Sequence, residues 1–408
     1  MAVWVQKYGG SSVADEAKIA QVAERVVAAK RAGYEVVVVV SAMGKTTDDL
    51  LALARRMHPD PPRREQDMLV SVGERIAMTL LSMAIDQRGL DAISFTGSQC
   101  GILTNDQHSD ARIVEIRPFR IQDELARGRI VIVAGYQGMS YRREITTLGR
   151  GGSDTTAVAL AAALGAERCD IYGDVDGVYS ADPRLLTTAR HIDALSYSEM
   201  QELAESGARV LNATAVEYAK EKGIAIYVRR ADGSGDHTLV RQSAPRLPGA
   251  VVGIAHDQAV RVLSVQTDDG LPADDLWTFL DDQGIPGKQL TIHCASAQCH
   301  ASVVVSAEFI PDAAQCRSRL DQHFGGRVRL SSDLGAVSLI GAGINQNFVN
   351  LRRCLKVLAE HDSKPEAVHT SSFRITVLVP SGQVPKTVEV LHREFIEEAL
   401  PSTQDFSD

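Results

Sequence analysis

Strand-like apolar segments alternate with long helical segments through the first half of this chain. The apolar segments lie at residues 2–8, 35–41, 92–96, 129–135, 170–173 and 225–228, and helical patterns at 15–32, 64–88 and 154–164 lie between several of them. Such alternation predicts βαβ units and a mainly parallel sheet with helices on both faces. The continuous valine run at 37–40 is typical of a parallel strand that is buried on both faces. The first half is therefore predicted to be an α/β domain.

The sequence changes character beyond this region, where turn-forming residues accumulate at 231–237 and prolines at 243–249. The order strand, helix, strand, strand then occurs twice, first over 259–307 and again over 336–379. Such a repeat predicts two small α/β sandwich modules, although chance similarity between short elements is the alternative. We predict domains at 1–232, 250–333 and 334–396, and C-terminal residues from about 385 to 400 could complete the first small module.

Length and charge limit the possible functions. At roughly 100–200 residues per domain, the 408 residues predict several domains. The chain carries 43 Lys and Arg against 52 Asp and Glu, a formal net charge of −9, whereas nucleic-acid binding requires a basic face. The longest apolar segment, 157–166, is far shorter than the roughly 20 residues of a membrane span, and no secretory signal precedes the first strand. We expect a cytoplasmic protein that binds neither nucleic acid nor membrane.

The six cysteines are scattered along the chain, and inside a cell we expect them to stay reduced. His293-Cys294 and Cys299-His300 place two metal-binding residue types at each end of a short gap. This spacing does not match that of zinc sites, and the segment has an alternating apolar pattern. We interpret these residues as ordinary strand residues.

Two loops that follow predicted strands are rich in glycine and hydroxyl groups. The first, 7–12, reads Lys-Tyr-Gly-Gly-Ser-Ser, and the second, 41–48, reads Ser-Ala-Met-Gly-Lys-Thr-Thr-Asp. Glycines at a turn from strand to helix let the backbone approach a phosphate, and a helix N-terminus offers free N–H donors. Because ligands bind beyond the carboxyl ends of parallel strands, we expect both loops to face one crevice.

Residues 146–156 read Thr-Thr-Leu-Gly-Arg-Gly-Gly-Ser-Asp-Thr-Thr and lead into an apolar helix. Arg150 between glycines, with Asp154 at a good N-cap position, predicts a loop that presents a cation together with backbone N–H groups. A flexible loop is the alternative. The following segment, 170–184, has acidic residues after a strand and then an aromatic residue and an arginine, which would suit a nucleotide with its metal.

In combination these segments resemble the aspartate kinases of the amino acid kinase superfamily. The matching motifs lie at 7–12, 40–44, 73–74, 146–156 and 174–184, in family order over about residues 3–230, and 61–69 and 94–99 are most similar to the actinobacterial branch. The resemblance implies the amino acid kinase fold, followed by two ACT-like modules.

The same resemblance implies transfer of the γ-phosphoryl group of ATP to the β-carboxylate of L-aspartate, giving 4-phospho-L-aspartate. This would be a first step towards amino acids of the lysine, threonine and methionine type. ATP and Mg²⁺ are the implied cofactors, with the metal held through the ATP phosphates rather than by a side-chain motif. No general base is needed, because a carboxylate of pKa about 4 is already an anion near neutral pH. Positive charge and positioning should therefore dominate catalysis.

The resemblance also implies roles for individual residues. Lys7 would neutralise the transferring phosphoryl group, Arg150 would clamp the substrate α-carboxylate with its bidentate fork, and Asp154 would orient the cationic groups. Glu74 would receive the α-ammonium group, although an exposed helix carboxylate is the alternative. The remaining substrate-binding residues would be Ser41, Thr47, Gly151, Gly152 and Ser153. The nucleotide would contact Lys7, Tyr8, Gly9, Gly10, Gly173, Asp174, Tyr179, Arg184 and Arg209, with a structural role as the alternative for Tyr179 and Arg184.

The sequence departs from the family pattern at several positions. Gly173 stands where a serine or threonine is usual, and Arg209 where a lysine is usual. In the ACT-like modules the usual turns are replaced at 268–272 and at Phe348-Val349. We therefore do not expect the family's usual inhibition by lysine or threonine, and we interpret the protein as a pathway-dedicated copy of the enzyme. We also expect a homodimer joined through the ACT-like modules. A kinase for a related amino-acid carboxylate, or an amino-acid-sensing regulatory subunit with weak catalysis, are the alternatives.

Overall fold

The computed structural model describes residues 2–149, 151–208, 210–267, 274–295, 298–310, 312–331 and 333–398. The chain forms two compact units. The first comprises residues 1–178, 191–204 and 209–245, and the second comprises 179–190, 205–208 and 246–408. The sequence predicted the first domain as one continuous segment ending at 232, whereas two short segments within that range belong to the second unit.

Strands and helices alternate along the first part of the chain, as the sequence predicted. The strands are β1 (Val3–Tyr8), β2 (Glu35–Val40), β3 (Ala92–Phe95), β4 (Ile102–Thr104), β5 (Ile113–Ile116), β6 (Ile130–Ala134), β7 (Gln137–Ser140), β8 (Ile145–Thr147), β9 (Arg168–Gly173), β10 (Val178–Tyr179), β11 (His191–Ile192), β12 (Ala194–Ser196), β13 (Ile226–Arg230) and β14 (His237–Arg241). The helices are α1 (Glu16–Arg31), α2 (Thr46–Met57), α3 (Arg63–Val70), α4 (Val72–Asp86), α5 (Phe119–Ala126), α6 (Gly152–Leu164), α7 (Tyr197–Glu205) and α8 (Ala213–Lys222). The single helix predicted over 64–88 is divided at Ser71 into α3 and α4.

The main sheet of the first unit has eight strands in the order β12-β14-β13-β9-β1-β2-β6-β3. All neighbouring pairs run parallel except β13 and β14. The prediction of a mainly parallel sheet is therefore confirmed. Because β9, β1, β2 and β6 are adjacent and parallel, their carboxyl ends lie along one edge of the sheet.

Helices cover the sheet and bury its strands. Residues Val36–Val40 of β2 are fully buried, as predicted for a strand covered on both faces. Helix α6 is buried from Gly152 through Ala161, and it contacts β1, β2 and β9. The apolar segment 157–166 is therefore largely a core helix. A second sheet, in the order β5-β4-β7-β8, was not predicted, since its strands have only three or four residues each.

The second unit contains the predicted repeat. Its strands are β15 (Gly253–Thr267), β16 (Gln289–Ala295), β17 (Gln298–Ser306), β18 (Val328–Leu330), β19 (Leu334–Ile340), β20 (Ala367–Thr370) and β21 (Arg374–Pro380), and its helices are α9 (Asp274–Asp282), α10 (Ala313–Phe324), α11 (Val349–Glu360) and α12 (Val384–His392). Each repeat has the order strand, helix, strand, strand. The two repeats share one antiparallel sheet, in the order β16-β17-β15-β19-β21-β20 with β18 beside β15.

Two separate apolar cores correspond to the two repeats. The first gathers side chains of β15, β17, α9 and α10, including Leu263, Leu276 and Leu320. The second gathers side chains of β19, α11 and β21, including Leu339, Leu358 and Val377. Val384, Val388 and Leu391 of α12 lie in this second core. The C-terminal helix therefore completes the second half of the sheet, which corrects the expectation that it would complete the first.

Two of the six cysteines form a disulfide. Cys294 and Cys299 pair directly across the hairpin of β16 and β17, with their Cα atoms 4.1 Å apart, and they form a disulfide. The expectation of six thiols is therefore wrong for this pair, because a sequence does not show which strand residues face each other. Cys100, Cys169, Cys316 and Cys354 are free. His293 and His300 are a cross-strand pair in the same hairpin, which agrees with their interpretation as strand residues.

Helices α3 and α4 together, Arg63–Asp86, are long and apolar enough to cross a membrane by length and composition alone. That criterion is weak for a single helix, because core helices meet it too. Ala77, Leu81 and Ile85 of α4 are buried in the core of the first unit, beside α1 and β2. One face of α4 is thus part of this core.

Candidate active site

The glycine-rich loops after β1 and β2 lie side by side at the carboxyl edge of the main sheet. The Gly44 N–H donates to the Gly10 carbonyl oxygen at 3.1 Å, and the Ser41 N–H donates to the Tyr8 carbonyl oxygen at 3.1 Å. A Cβ atom on Gly10 would lie 2.8 Å from the carbonyl oxygen of Ala42. The approach of the two loops therefore requires glycine at position 10, and the two loops are adjacent at this edge.

Lys7 and Asp154 form the ionic centre of this edge. The Lys7 Nζ atom lies 2.7 Å from Asp154 Oδ1, and both side chains are largely buried. Lys7 is next to the last residue of β1, and Asp154 is in the first turn of α6. The aspartate therefore holds the ammonium group of Lys7 beside the loop of Gly9, where a Cβ atom would lie 3.5 Å from Nζ.

The first turn of α6 lies close to the carboxyl end of β6. Gly151 precedes the helix with φ +70, a left-handed conformation that favours glycine. Ser153 lies beside Gly135, where a Cβ atom would be 2.6 Å from Ser153 Oγ. Gly152 and Ser153 are buried, and Gly151 is exposed. Arg150, the predicted carboxylate clamp, lies outside the described residues.

Glu74 is a buried carboxylate at the same edge. It lies in the first turn of α4 with 2% of its surface exposed, and its Oε1 atom accepts a hydrogen bond of 3.1 Å from the Ala42 N–H. Its Oε2 atom is buried without a hydrogen-bond partner among the described residues. Burial raises the pKa of Glu74 to about 7, and the Ala42 N–H opposes this rise. The alternative of an exposed helix carboxylate is therefore wrong.

The close approach of Glu74 to the second loop depends on its neighbour in the chain. A Cβ atom on Gly73 would lie 2.7 Å from the Ala42 side chain, so α4 packs directly against this loop. The two predicted partners of substrate oxygens are half-buried: Ser41 precedes Ala42 in this loop, and Thr47 lies in the first turn of α2. The structure therefore brings Ser41, Thr47 and Glu74 to one part of the sheet edge.

The residues predicted to contact the nucleotide differ in their exposure to solvent. Gly173 ends β9 with open space where a side chain would be, and Asp174 after it is exposed. Tyr8 is fully buried, stacked on Tyr172 with ring centroids 4.7 Å apart, and its hydroxyl donates to Gln6 Oε1. The Tyr8 side chain is therefore a core group, which corrects its prediction as a nucleotide contact.

Three further residues were predicted to contact the nucleotide, namely Tyr179, Arg184 and Arg209. Tyr179 and Arg184 belong to the second unit, where Arg184 forms an ion pair of 2.8 Å with Asp182. Arg209 lies outside the described residues. Their roles toward a nucleotide stay predictions.

Asp67 is a buried polar residue to which the sequence reasoning assigned no role. It lies on α3, and its carboxylate accepts hydrogen bonds from Thr147 Oγ1 at 2.6 Å and from the Ser109 N–H at 3.1 Å. The signal was its spacing of seven residues before Glu74, which places both carboxylates on one helical face. Such spacing is common among surface carboxylates too, so the signal alone was weak.

Comparison with known proteins identifies the family of this chain. Residues 2–230 match the model of the amino acid kinase family. The aspartokinase of Mycolicibacterium smegmatis is 42% identical over 419 aligned positions, which cover 97% of this chain and 96% of that protein. The chain belongs to the aspartokinases, within the amino acid kinase family.

Two solved aspartokinase structures share the fold. E. coli aspartokinase III in complex with aspartate and ADP superposes with a TM-score of 0.81 at 24% identity, covering 96% of this chain and 99% of that one. The same enzyme in complex with lysine and aspartate gives a TM-score of 0.72 at 23% identity, covering 97% and 99%. At these identities the similarity is one of fold.

Proposed function

We propose that this aspartokinase transfers the γ-phosphoryl group of ATP to the β-carboxylate of L-aspartate, giving ADP and 4-phospho-L-aspartate. The observation that carries the proposal is the pair of opposite charges at the sheet edge. Lys7 supplies a cation where a polyphosphate would approach the glycine loop, and Glu74 supplies a buried anion with one unpartnered oxygen. A substrate with an ammonium group and a carboxylate nucleophile is complementary to both.

Glu74 makes the proposal specific for an amino acid. An isolated buried carboxylate is costly unless it is paired, and Oε2 has no partner among the described residues. The α-ammonium group of L-aspartate would donate a charge-assisted hydrogen bond to this oxygen. A dicarboxylate without an amino group would leave Glu74 unpaired and should therefore bind poorly.

The reaction needs charge neutralisation rather than a base. An oxygen of the β-carboxylate forms the new bond to the γ-phosphorus atom, while the bond from that phosphorus to the bridging oxygen breaks and ADP departs. No proton is transferred, because the nucleophile is already an anion. Lys7 would offset the repulsion between carboxylate and phosphate, and Asp154 holds its ammonium group in place.

Mg²⁺ would supply further positive charge on the ATP phosphates. Within the described ranges, no three His, Cys, Asp or Glu side chains converge as a metal site. Magnesium usually binds through phosphate oxygens, water and one or two carboxylates, which does not require such a cluster. The exposed Asp174 carboxylate at the end of β9 is the side chain we propose for this contact.

The remaining proposals concern regulation and assembly. The E. coli enzyme has been solved with lysine, whereas here Phe348 precedes α11 and Val349 begins it, and both are exposed. We propose weak or absent inhibition by lysine and threonine, a homodimer joined through the ACT-like modules, and a cytoplasmic location without nucleic-acid or membrane partners.

The experiment is a measurement of ADP release from MgATP with a set of acceptors. We expect L-aspartate to give the highest kcat/KM, and succinate, which lacks the ammonium group, to give little turnover. Preference for L-glutamate or another amino acid would instead support a kinase for a related carboxylate. A chain without acceptor-dependent turnover would be a regulatory subunit, and the proposal would be refuted.

A further inference from the structure

Asp67 connects parts of the first unit that are distant in sequence. Its side chain is 1% exposed, and its Oδ1 atom accepts from Thr147 Oγ1 at 2.6 Å. Its Oδ2 atom lies 2.7 Å from His108 Nδ1, and the Ser109 N–H donates to both oxygens at 3.1 Å. A single carboxylate thus joins α3, the loop between β4 and β5, and the end of β8.

The loop between β4 and β5, which contacts Asp67, also packs against the residues that follow β8. The Ala111 N–H donates to the Thr147 carbonyl oxygen at 2.8 Å, and a Cβ atom on Gly149 would lie 2.6 Å from Asp110 Oδ1. Ser109 has φ +69, which is uncommon for a residue other than glycine and therefore indicates a loop held by its contacts.

A second hydrogen bond ties the same helix pair to the same strands. Gln137 Nε2 donates to the Ser71 carbonyl oxygen at 2.9 Å, at the break between α3 and α4. Gln137 pairs with Thr147 in the ladder of β7 and β8. The element that carries Glu74 is therefore hydrogen-bonded to β7, the partner strand of β8, and β8 ends at Thr147, where the loop that leads to α6 begins.

We infer that Asp67 is a positioning residue that sets the spacing between Glu74 and the loop after Thr147. The inference rests on the proposed function, in which Glu74 receives the substrate ammonium group, and on the sequence-based prediction that this loop receives the substrate α-carboxylate. Lys7 and the loop of Gly9 and Gly10 have no direct contact with Asp67 among the hydrogen bonds of the described residues. Asp67 should therefore control recognition of L-aspartate and leave recognition of ATP unchanged.

The experiment measures kcat and KM for L-aspartate and for MgATP in Asp67→Ala and Asp67→Asn. Because a displacement of about 1 Å can cost roughly 100-fold, we expect kcat/KM for L-aspartate to fall about 10- to 100-fold in Asp67→Ala, with at least part of that fall appearing as a raised KM for L-aspartate. KM for MgATP should stay near the wild-type value. Asp67→Asn keeps one acceptor oxygen and should have a smaller effect.

Two Thr147 variants test whether Asp67 acts through this residue. Thr147→Ser keeps the hydroxyl donor and should retain the wild-type KM for L-aspartate, whereas Thr147→Val should raise it. In the double variant Asp67→Ala/Thr147→Val, the free-energy effect on KM for L-aspartate should be smaller than the sum of the two single effects, because both substitutions remove the same contact. Thr147→Ser and Asp67→Asn also keep the inference testable if the larger changes prevent folding.

The outcomes separate this inference from the proposed function. Wild-type protein that does not phosphorylate L-aspartate would refute the proposed function itself. Active wild-type protein with variants that lower only kcat, or that raise both KM values equally, would show that Asp67 merely supports folding. Glu124→Gln is the matched control, since Glu124 is a buried carboxylate paired with Arg127 and Arg129 before the start of β6, and its KM values should not change.

Discussion

Replacement of Glu74 by glutamine should separate stability from substrate recognition. Burial raises the pKa of this carboxyl from 4.5 to about 7. At 1.36 kcal/mol per pKa unit, ionising Glu74 in the empty site costs about 3 kcal/mol. Glu74→Gln retains an acceptor for the Ala42 N–H and removes this cost.

The pH dependence of stability follows from the direction of the shift. Because the folded-state pKa is above the unfolded value, the native protein binds more protons between about pH 4.5 and 7, and the free energy of unfolding falls as pH rises through that window. Glu74→Gln should therefore be more stable than wild type at pH 8, by at most about 3 kcal/mol. Near pH 4 both side chains are neutral and the difference should vanish.

Whereas Glu74→Gln should raise stability, it should lower activity. Loss of one partner of a buried ion pair costs about 3 kcal/mol or more, so kcat/KM for L-aspartate should fall by roughly 100-fold. In the wild type, kcat/KM should rise with pH through about 7 as free Glu74 ionises, and this rise should be absent in Glu74→Gln.

The assays are urea unfolding at pH 4, 6 and 8, and initial rates over the same range. Glu124→Gln is the control, because its carboxylate is already paired with two arginines and should gain no stability at pH 8. A Glu74→Gln variant with the wild-type kcat/KM for L-aspartate would refute the role of Glu74, whatever its stability.

Three further predictions address the cation, the glycine loop and regulation. Lys7→Ala should lower kcat by at least about 100-fold in the ADP-release assay, and it should also lower thermal stability because the largely buried Asp154 loses its ion-pair partner; wild-type turnover would contradict the role of Lys7. Gly10→Ala should abolish activity because its Cβ would lie 2.8 Å from the Ala42 carbonyl oxygen, while Gly382→Ala, with nothing within 4 Å of the added Cβ, should fold and react normally. Millimolar lysine with threonine should leave the initial rate nearly unchanged, and strong inhibition would show that the turn at Phe348 still supports an effector site.

The main sheet could be predicted because its central strands are separate apolar segments, and β1 and β2 are each followed by a long helix. The valine run of β2 and the glycines after β1 each have one plausible structural context, and the motif order identified the family. The break at Ser71 could not be predicted, since no glycine or proline marks it. It is associated with a hydrogen bond from Gln137, a residue that is distant in sequence.

Side-chain environments were less predictable than elements. Tyr8 lies within a motif that suggested a nucleotide contact, yet strand alternation turns its ring into the core against Tyr172. Asp67 resembles an ordinary helix carboxylate until its three partners are known. The disulfide of Cys294 and Cys299 likewise depends on hairpin register, which sequence patterns alone do not fix.

The most direct test of the central claim is identification of the reaction product. An acyl phosphate reacts with hydroxylamine to give a hydroxamate, whose position on the amino acid can be assigned by mass spectrometry and NMR. With MgATP and L-aspartate, wild-type protein should give the β-hydroxamate, and Lys7→Ala should give almost none. An α-hydroxamate, or no hydroxamate despite ADP release, would contradict phosphorylation of the β-carboxylate.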